Sequence, residues 1–454
     1  MHPARLLRAA KEAEKVGSRL YLPIVEAIRV DHIQAARDAF ESLDSVDAFA
    51  VQVNAECDNL IKILESAQHL EEVSRGAENK IISKGEKLAC QYMAALLEDR
   101  GCPAQYVDLS DVIKRYSVPQ LVKESAYKEL AKALGQEVLA CGDKVPIITG
   151  YFGHVPEGLL HSIGRGYTDL CAALVAVGVQ AAELQIWKEV DGIFTADPRK
   201  VPTAKLIPSV TPAEAAELTF YGSEVIHPFT MEQVIKARIP IRIKNVMNPR
   251  GPGTVISPNP VVEPLAVQAL DRPSLFRCRS RPNMDALQAP QRPTAVTIKH
   301  SIIVLNIHSN RRTRAHGFLA KIFSILDKHH LSVDLISSSE VHVSMALHSE
   351  NSMLSGDNVD VIEDERLQDA VTDLAELGVV DIAANMAIVS LVGQQLRNLK
   401  GVSGRFFSVL GENNINIEMI SQGASEINIS CVIWARDADR ALNVVHTSLF
   451  QFLE

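Results

Sequence analysis

Cysteine is sparse in this chain. The seven residues, at positions 57, 90, 102, 141, 171, 278 and 431 of 454, are odd in number and never fall in a C-x-x-C spacing. That excludes a disulfide framework and gives no zinc-site pattern, and it fits a reducing compartment. Long apolar runs are missing too. None reaches the roughly 20 residues that a membrane span needs. The first residues, where Arg5, Arg8, Lys11 and Lys15 mix with Glu12 and Glu14, lack a signal peptide's apolar segment. Positive charge is in deficit, with a net charge of −9 and a pI near 5.9, which argues against a broad nucleic-acid surface or a polybasic membrane anchor. The expected location is the cytosol, with no nucleic acid and no membrane as partner and small molecules as the expected ligands. What remains is ordinary for a globular protein, 47% hydrophobic and 22% charged. The length suffices for two to four domains with real cores.

Between Arg5 and about Ala67 the apolar spacing is helical (Leu6, Leu7, Ala10; Ile24, Val25, Ile28; Leu60, Ile61, Leu64) and predicts no strand. Short apolar runs bounded by turns follow at Tyr106–Leu109, Val145–Thr149, Leu184–Trp187 and Ile239–Ile243, with helical segments between them. One such helix starts at Thr211, where T-P-A-E is a capping box with proline at the first helical position. Alternating strands and helices predict a mostly parallel sheet, with a ligand crevice at the carboxyl ends of its strands. Seven prolines within 257–294 then read as an extended linker. Beyond it lies a repeat: A-K-I-F-S-I-L with L-S-V-D-L-I-S at 320–337 matches G-R-F-F-S-V-L with I-N-I-E-M-I-S at 404–421. Each copy has a strand before and after, which predicts two compact α+β modules. The acidic stretch 350–365 reads as a surface insertion.

The chemistry concentrates between Gly164 and Arg199. The turn G-R-G-Y-T-D opens a helix ended by Gly178, and Thr168 is placed to cap its start, where unpaired amides and the positive dipole end would face an anion. Phosphoryl transfer needs positioned cations and donors more than covalent help from the protein. Lys188 and Arg199 are candidate phosphate cations, and Asp169, Asp191 and Asp197 candidate groups around a metal-bound nucleotide. Asp191 before Gly192 and Asp197 before Pro198 have a simpler reading as turn residues, which is preferred. Asp169, in the glycine loop at a helix start, reads as functional. Glu86, in Gly85-Glu86-Lys87-Leu88 at what reads as the start of a helix, is on position alone a favourable first-turn acid. Arg165 between glycines suits a carboxylate, while His161 and His227 have no catalytic partner in the sequence and read as structural.

The runs T-G-Y-F-G, G-R-G-Y-T-D, W-K-E-V-D-G-I-F-T-A-D-P-R, F-Y-G-S-E-V-I-H-P-F-T and I-P-I-R-I-K-N-V, over Val145–Val246, resemble the catalytic domain of aspartate kinases, most closely the fungal monofunctional type. S-K-G-E-K-L at 83–88 and Y-V-D-L at 106–109 extend the match, and the repeat is similar to the paired ACT modules of that family. The resemblance implies an amino-acid-kinase α/β domain over 1–256, a linker over 257–296, and ACT modules over 297–380 and 386–454. It implies ATP with Mg²⁺ as cofactor and phosphorylation of the side-chain carboxylate of L-aspartate, toward threonine, methionine and isoleucine. It also implies roles for single residues. Glu86, Arg165 and Tyr151 would bind substrate, with Thr168 and Asp169 at the reacting groups. Lys188, Glu189, Phe194 and Arg199 would line the nucleotide pocket, and no protein metal site is implied. Glu224 stands where some bacterial members carry a nucleotide-contacting lysine and is not assigned to ATP.

In the first ACT copy His316, Gly317, Phe318, Leu319, Val333, Asp334, Ser338, Ser339 and Glu340 match the effector-binding face, with threonine the implied effector and a homo-oligomer the implied assembly. Family members open with a strand and a K-F-G-G-T-S loop that do not occur in this sequence. The expectation that follows is weak or no activity, from a truncated gene model, the alternative being a non-catalytic amino-acid sensor.

Overall fold

The computed structural model describes residues 2–115, 124–153, 166–221, 228–257, 293–309, 317–339, 342–348, 365–394, 396, 399–423 and 427–451. Contacts divide the chain into two units, Met1–Leu184 with Ile226–Ile241, and Gln185–Val225 with Arg242–Glu454. Among the described residues no helix is long and apolar enough to cross a membrane.

The first unit opens with four helices, α1 (His2–Ala13), α2 (Tyr21–Ala39), α3 (Leu43–Leu70) and α4 (Arg75–Asp99). On α3 the buried residues Val46, Phe49, Val53, Cys57, Leu60, Leu64 and Ala67 recur every three or four positions, the stripe that a helix must present to a core. Ser42 and Ser74 cap α3 and α4 by accepting from the amides of Ser45 and Ala77. Gly85 and Glu86 therefore lie well inside α4; the expected helix start at Gly85 is displaced upstream, because Ser74 supplies the cap. A parallel pair follows, β1 (Ala104–Val107) with β2 (Val145–Ile148), separated in sequence by α5 (Val112–Arg115) and α6 (Glu124–Leu139). Next comes α7 (Tyr167–Gly178), which packs against α6. Their crossing is close: a Cβ at Gly135 would lie 2.7 Å from the backbone of Gly178, a separation that any larger residue would force open.

The second unit holds a four-stranded sheet in the order β3-β5-β6-β4, from β3 (Leu184–Lys188), β4 (Ser209–Val210), β5 (Ile241–Asn245) and β6 (Thr254–Ile256), the last two elements of that order pairing parallel. Between β4 and β5 lie α8 (Pro212–Phe220) in this unit and α9 (Pro228–Lys236) in the first. The capping box at Thr211 is complete, with its side chain and that of Glu214 bonding reciprocally.

Residues beyond 293 form one six-stranded antiparallel sheet in the order β11-β12-β10-β7-β9-β8. Its strands are β7 (Ala295–Ser309), β8 (Val333–Ser338), β9 (His342–His348), β10 (Gly378–Val392), β11 (Met419–Ser421) and β12 (Asn428–Trp434). The helices are α10 (Phe318–Lys328), α11 (Glu365–Ala375), α12 (Val402–Glu412) and α13 (Ala438–His446). Both repeat helices start from a left-handed glycine, Gly317 at φ 81° and Gly401 at φ 83°, a conformation that a Cβ disfavours. The two modules do not part at 380–386. Strands β7 and β10 run through both cores: Ile303, Leu305 and Ile307 pack with α10, while Val296 on the same strand packs with Phe406 and Leu442. A strand of 15 residues reaches about 50 Å, long enough to serve two modules in turn.

Candidate functional site

Glu86 sits mid-way along α4, and its neighbours show how the helix sorts its charges. Lys84 and Lys87, three residues apart and so on one face, both pair with Glu56, at 2.6 and 2.8 Å, and Lys87 also reaches Asp108 at 3.0 Å. Burial alone would raise Asp108, yet the Ser110 hydroxyl and amide with the Lys87 ammonium hold it down at about 2. Glu86 takes no part in that network. Its Oε1 accepts from the Tyr167 hydroxyl at 2.8 Å, and its Oε2 is buried with no hydrogen-bond partner. Burial pushes its pKa up, against the opposing pull of the Tyr167 hydroxyl and the amides of Gly150 and Tyr151. Those amides act on the carboxylate from nearby but fall outside hydrogen-bond geometry to Oε2, and a buried acceptor left so costs on the order of 1–3 kcal/mol.

The loop after β2 completes this environment. Tyr151 is buried, and its carbonyl accepts from the Thr149 hydroxyl at 3.2 Å. Helix α7 begins two residues earlier than the sequence suggests: Gly166 is the N-cap, no side chain caps, and Thr168 and Asp169 fall at the second and third helical positions. The cap expected of Thr168 is thus absent. Its methyl instead closes on Gly150, where a Cβ would overlap the Thr168 side chain and lie 2.8 Å from its Cα. Asp169 keeps a favourable place against the helix dipole. We expect Gly150→Ala to lower the melting temperature, by overpacking of about 1–3 kcal/mol. A thermal melt checks this, and a wild-type melting temperature would contradict this packing account.

In the second unit, Lys188 ends β3, half-buried, its carbonyl accepting from Val246 at 2.9 Å, while Glu189 is exposed. Asp191 accepts from Asn245 and Asn248, each at 3.1 Å. Asp197 accepts from the Arg199 amide at 3.0 Å and from its guanidinium at 2.9 Å. Both aspartates thus shape turns, the simpler of their two readings. Arg199 is bound up in that turn, with its side chain 88% exposed.

At the carboxyl ends of β3 and β5 lies a cavity of about 190 Å³ lined by Asp191, Phe194, Asn245, Asn248 and the backbone from Gly251 to Gly253. Ligands bind at such strand ends in open α/β sheets. Phe194 is the one sequence-assigned nucleotide residue in its wall; Lys188, Glu189 and Arg199 do not line it. Asn245, Asn248 and the glycines were missed, although N-x-x-N-P-R-G-P-G-T directly after a strand is the kind of glycine-rich turn that marks close backbone approach to a ligand.

Of the effector candidates, Gly317 and Phe318 start α10, Leu319 is exposed, Val333 and Asp334 start β8, and Ser338, its last residue, and Ser339 just beyond it are exposed. Four residues of strand separate Asp334 from Ser338, roughly 13 Å. Asp334 is paired with Lys299 at 2.8 Å, and the Lys299 ammonium also lies 4.4 Å from the Phe220 ring centroid. That pair lines a second cavity of about 400 Å³ with His330, His348 and Arg366. Arg165, His316, Glu340, Glu224, His161 and His227 lie outside the described residues.

The amino acid kinase family profile matches residues 27–245, and an ACT domain profile matches 389–449. The chain is 51% identical over 447 residues to the aspartokinase of Schizosaccharomyces pombe, covering 98% of this chain and 83% of that one. It is 49% identical over 457 residues to the aspartokinase of Saccharomyces cerevisiae, covering 98% and 82%. The chain belongs to the aspartokinase family. As an aspartokinase it is a phosphotransferase with a C-terminal ACT region. Its fold matches that of Escherichia coli aspartokinase III in complex with aspartate and ADP, at a TM-score of 0.71 and 26% identity, over 98% of this chain and 91% of that one. The same enzyme in complex with lysine and aspartate matches at 0.69 and 27%, over 98% and 90%. Within this aspartokinase the structure brings Glu86, Tyr151 and Thr168 together around Gly150, and sets Asp191 and Phe194 on one cavity.

Proposed function

We propose that this aspartokinase transfers the γ-phosphoryl group of ATP to the side-chain carboxylate of L-aspartate, on the route to threonine, methionine and isoleucine. The single observation that carries the substrate reading is Glu86 Oε2, buried, without a donor, beside the amides of Gly150 and Tyr151. An α-ammonium is the complement of that oxygen, and the charge-assisted bond would offset the cost of its burial. Arg165 would take a substrate carboxylate, and Thr168 and Asp169 would stand at the reacting groups, with the α7 N-terminus favouring the anion. That a bacterial relative was solved with aspartate and ADP supports the same assignment.

The nucleotide base would enter the cavity between Asp191, Phe194 and Asn245, Lys188 and Arg199 would serve its phosphates, and Glu189 would line the nucleotide pocket beside them. Mg²⁺ would be carried chiefly by the nucleotide phosphates, as that ion commonly is. For regulation, the 400 Å³ cavity with Lys299 and Asp334 in its wall offers one cation and one anion to a zwitterion; threonine is the proposed effector, and a homo-oligomer the proposed assembly. The catalytic domain is proposed to span 1–256, followed by a linker over 257–296 and ACT modules that share β7 and β10.

Calorimetric titration tests the substrate and nucleotide assignments separately. L-Aspartate should bind and L-glutamate, one methylene longer, should bind at least tenfold more weakly, while ADP with Mg²⁺ should bind with or without aspartate. Equal affinity for the two amino acids would refute the substrate reading.

A further inference from the structure

The segment that carries W-K-E-V-D-G-I-F-T-A-D-P-R is built into the second ACT module. Phe194 and Leu206, both in the wall of the 190 Å³ cavity, form an antiparallel bridge. Thr195 extends it, its amide donating to the Lys205 carbonyl and its carbonyl accepting from the Val296 amide, each at 2.9 Å. The Thr195 hydroxyl accepts from the Lys205 amide at 2.9 Å and lies 2.8 Å from His446 Nε2, at the end of α13. With one lone pair taken by Lys205, that hydroxyl keeps its proton and a second lone pair for Nε2, so the bond forms in either neutral tautomer, and Nδ1 faces the Thr203 hydroxyl at 3.5 Å. His446 is 1% exposed and stacks on Phe450 at 5.0 Å. Burial, and then the charge of Lys205, lower its pKa, in keeping with a neutral ring.

Three further contacts from α13 converge on the same loop. Asn443 donates to the Lys200 carbonyl at 3.2 Å, Asp439 pairs with the Lys200 ammonium at 2.8 Å, and Ala196 and Val201 are buried among Leu442, Val445 and Phe406.

We propose that α13 of the second ACT module, acting through His446, is the positioning element for the Phe194–Leu206 wall of the cavity, so that a shift of α13 changes nucleotide affinity. This rests on the nucleotide reading of that cavity. His446 touches no reacting group; it acts through Thr195. The contacts of Lys200, Ala196 and Val201 with the module remain when the ring's bond is lost, so its loss should loosen the wall at Thr195 without unfolding the module.

The test uses the full chain and three variants. His446→Phe keeps the stack on Phe450 and removes the bond to Thr195, Thr195→Val removes it from the other side, and His446→Gln restores a hydrogen-bonding group, donor or acceptor, near the Nε2 position. ADP dissociation constants for His446→Phe and Thr195→Val should rise about tenfold, the usual effect of one buried hydrogen bond. Aspartate affinity should stay within twofold of wild type, and His446→Gln should recover most of the ADP affinity. Amide hydrogen exchange should quicken across 193–206. Unchanged ADP affinity and exchange in a folded His446→Phe or Thr195→Val chain would overturn the proposal, as would parallel weakening of ADP and aspartate. A wild-type chain that fails to bind ADP would refute the nucleotide reading instead, and the exchange rates alone would then decide whether α13 holds the loop.

Discussion

Glu86→Gln is expected to weaken L-aspartate binding about 30- to 150-fold, the loss of a charge-assisted bond of about 2–3 kcal/mol. The fold should survive, because Tyr167 can still donate to the remaining carbonyl oxygen. A second consequence separates this residue from a structural carboxylate. Burial raises the Glu86 pKa above its ordinary 4.5, so the folded chain holds that proton more tightly than the unfolded chain does. The stabilising contribution is therefore complete below about 4.5 and is lost as pH rises through the raised value. At neutral pH the ionised group in the empty site opposes folding. The difference in stability between wild type and Glu86→Gln should accordingly shift in favour of the variant as pH climbs above 4.5 in the absence of aspartate. Denaturant midpoints for both chains between pH 4 and 8, with and without aspartate, measure this. A pH-independent difference, or aspartate affinity within a factor of three of wild type, would remove Glu86 from the substrate site.

The largest stability effect is expected at Glu214. This side chain is 6% exposed and receives four hydrogen bonds, from the Thr211 amide at 3.0 Å and hydroxyl at 2.7 Å, the Thr294 hydroxyl at 2.6 Å and the Gln394 amide at 2.9 Å. It thus caps α8 and ties that helix to the residues that flank β7 and β10. Glu214→Ala leaves several buried donors unpaired and should cost about 3–5 kcal/mol. Here the sign of the pH dependence is opposite. Burial would raise the pKa, but the bonds from Thr294, Thr211 and Gln394 outweigh it and hold the group below 4.5. Its contribution is present above 4.5 and lost as pH falls through the lowered value. Glu214→Gln should therefore cost least in acid. Urea unfolding at pH 7 and pH 4 checks the size and the sign, and an alanine variant within 1 kcal/mol of wild type would show that water replaces the carboxylate at no cost.

Much of the fold could be read ahead of the structure wherever one local rule decided the outcome. The T-P-A-E box at Thr211 forms as written, and the strand expected at Val145 starts there. The likeness of 320–337 to 404–421 correctly implied two copies of one module. Readings that depended on competition between neighbours went astray. Gly85 looks like a helix start, but a glycine inside a long helix costs only about 1 kcal/mol, and the cap at Ser74 with the buried residues Ile81 and Leu88 outweighs it. Thr168 has the chemistry of a cap, yet Gly166 takes that position and the threonine methyl is used to pack Gly150.

The sharing of β7 and β10 between modules was invisible for a different reason. A strand that serves two cores has the same alternation as one that serves a single core, and only pairing register tells them apart. In the site, the residue types that carry charge were found. What the sequence did not reveal was which charges were already neutralised within the chain, as Asp197 is by Arg199 and Asp334 by Lys299. The uncharged wall of Asn245 and Asn248 gave no electrostatic cue.

The most direct test of the account is a single-substrate comparison of ATP-dependent acyl phosphate formation, trapped with hydroxylamine, for L-aspartate, L-glutamate and N-acetyl-L-glutamate. The account predicts hydroxamate from L-aspartate and at most a few per cent of that yield from the other two. Comparable yields from all three, or none from L-aspartate in a chain that binds both ADP and aspartate, would contradict it.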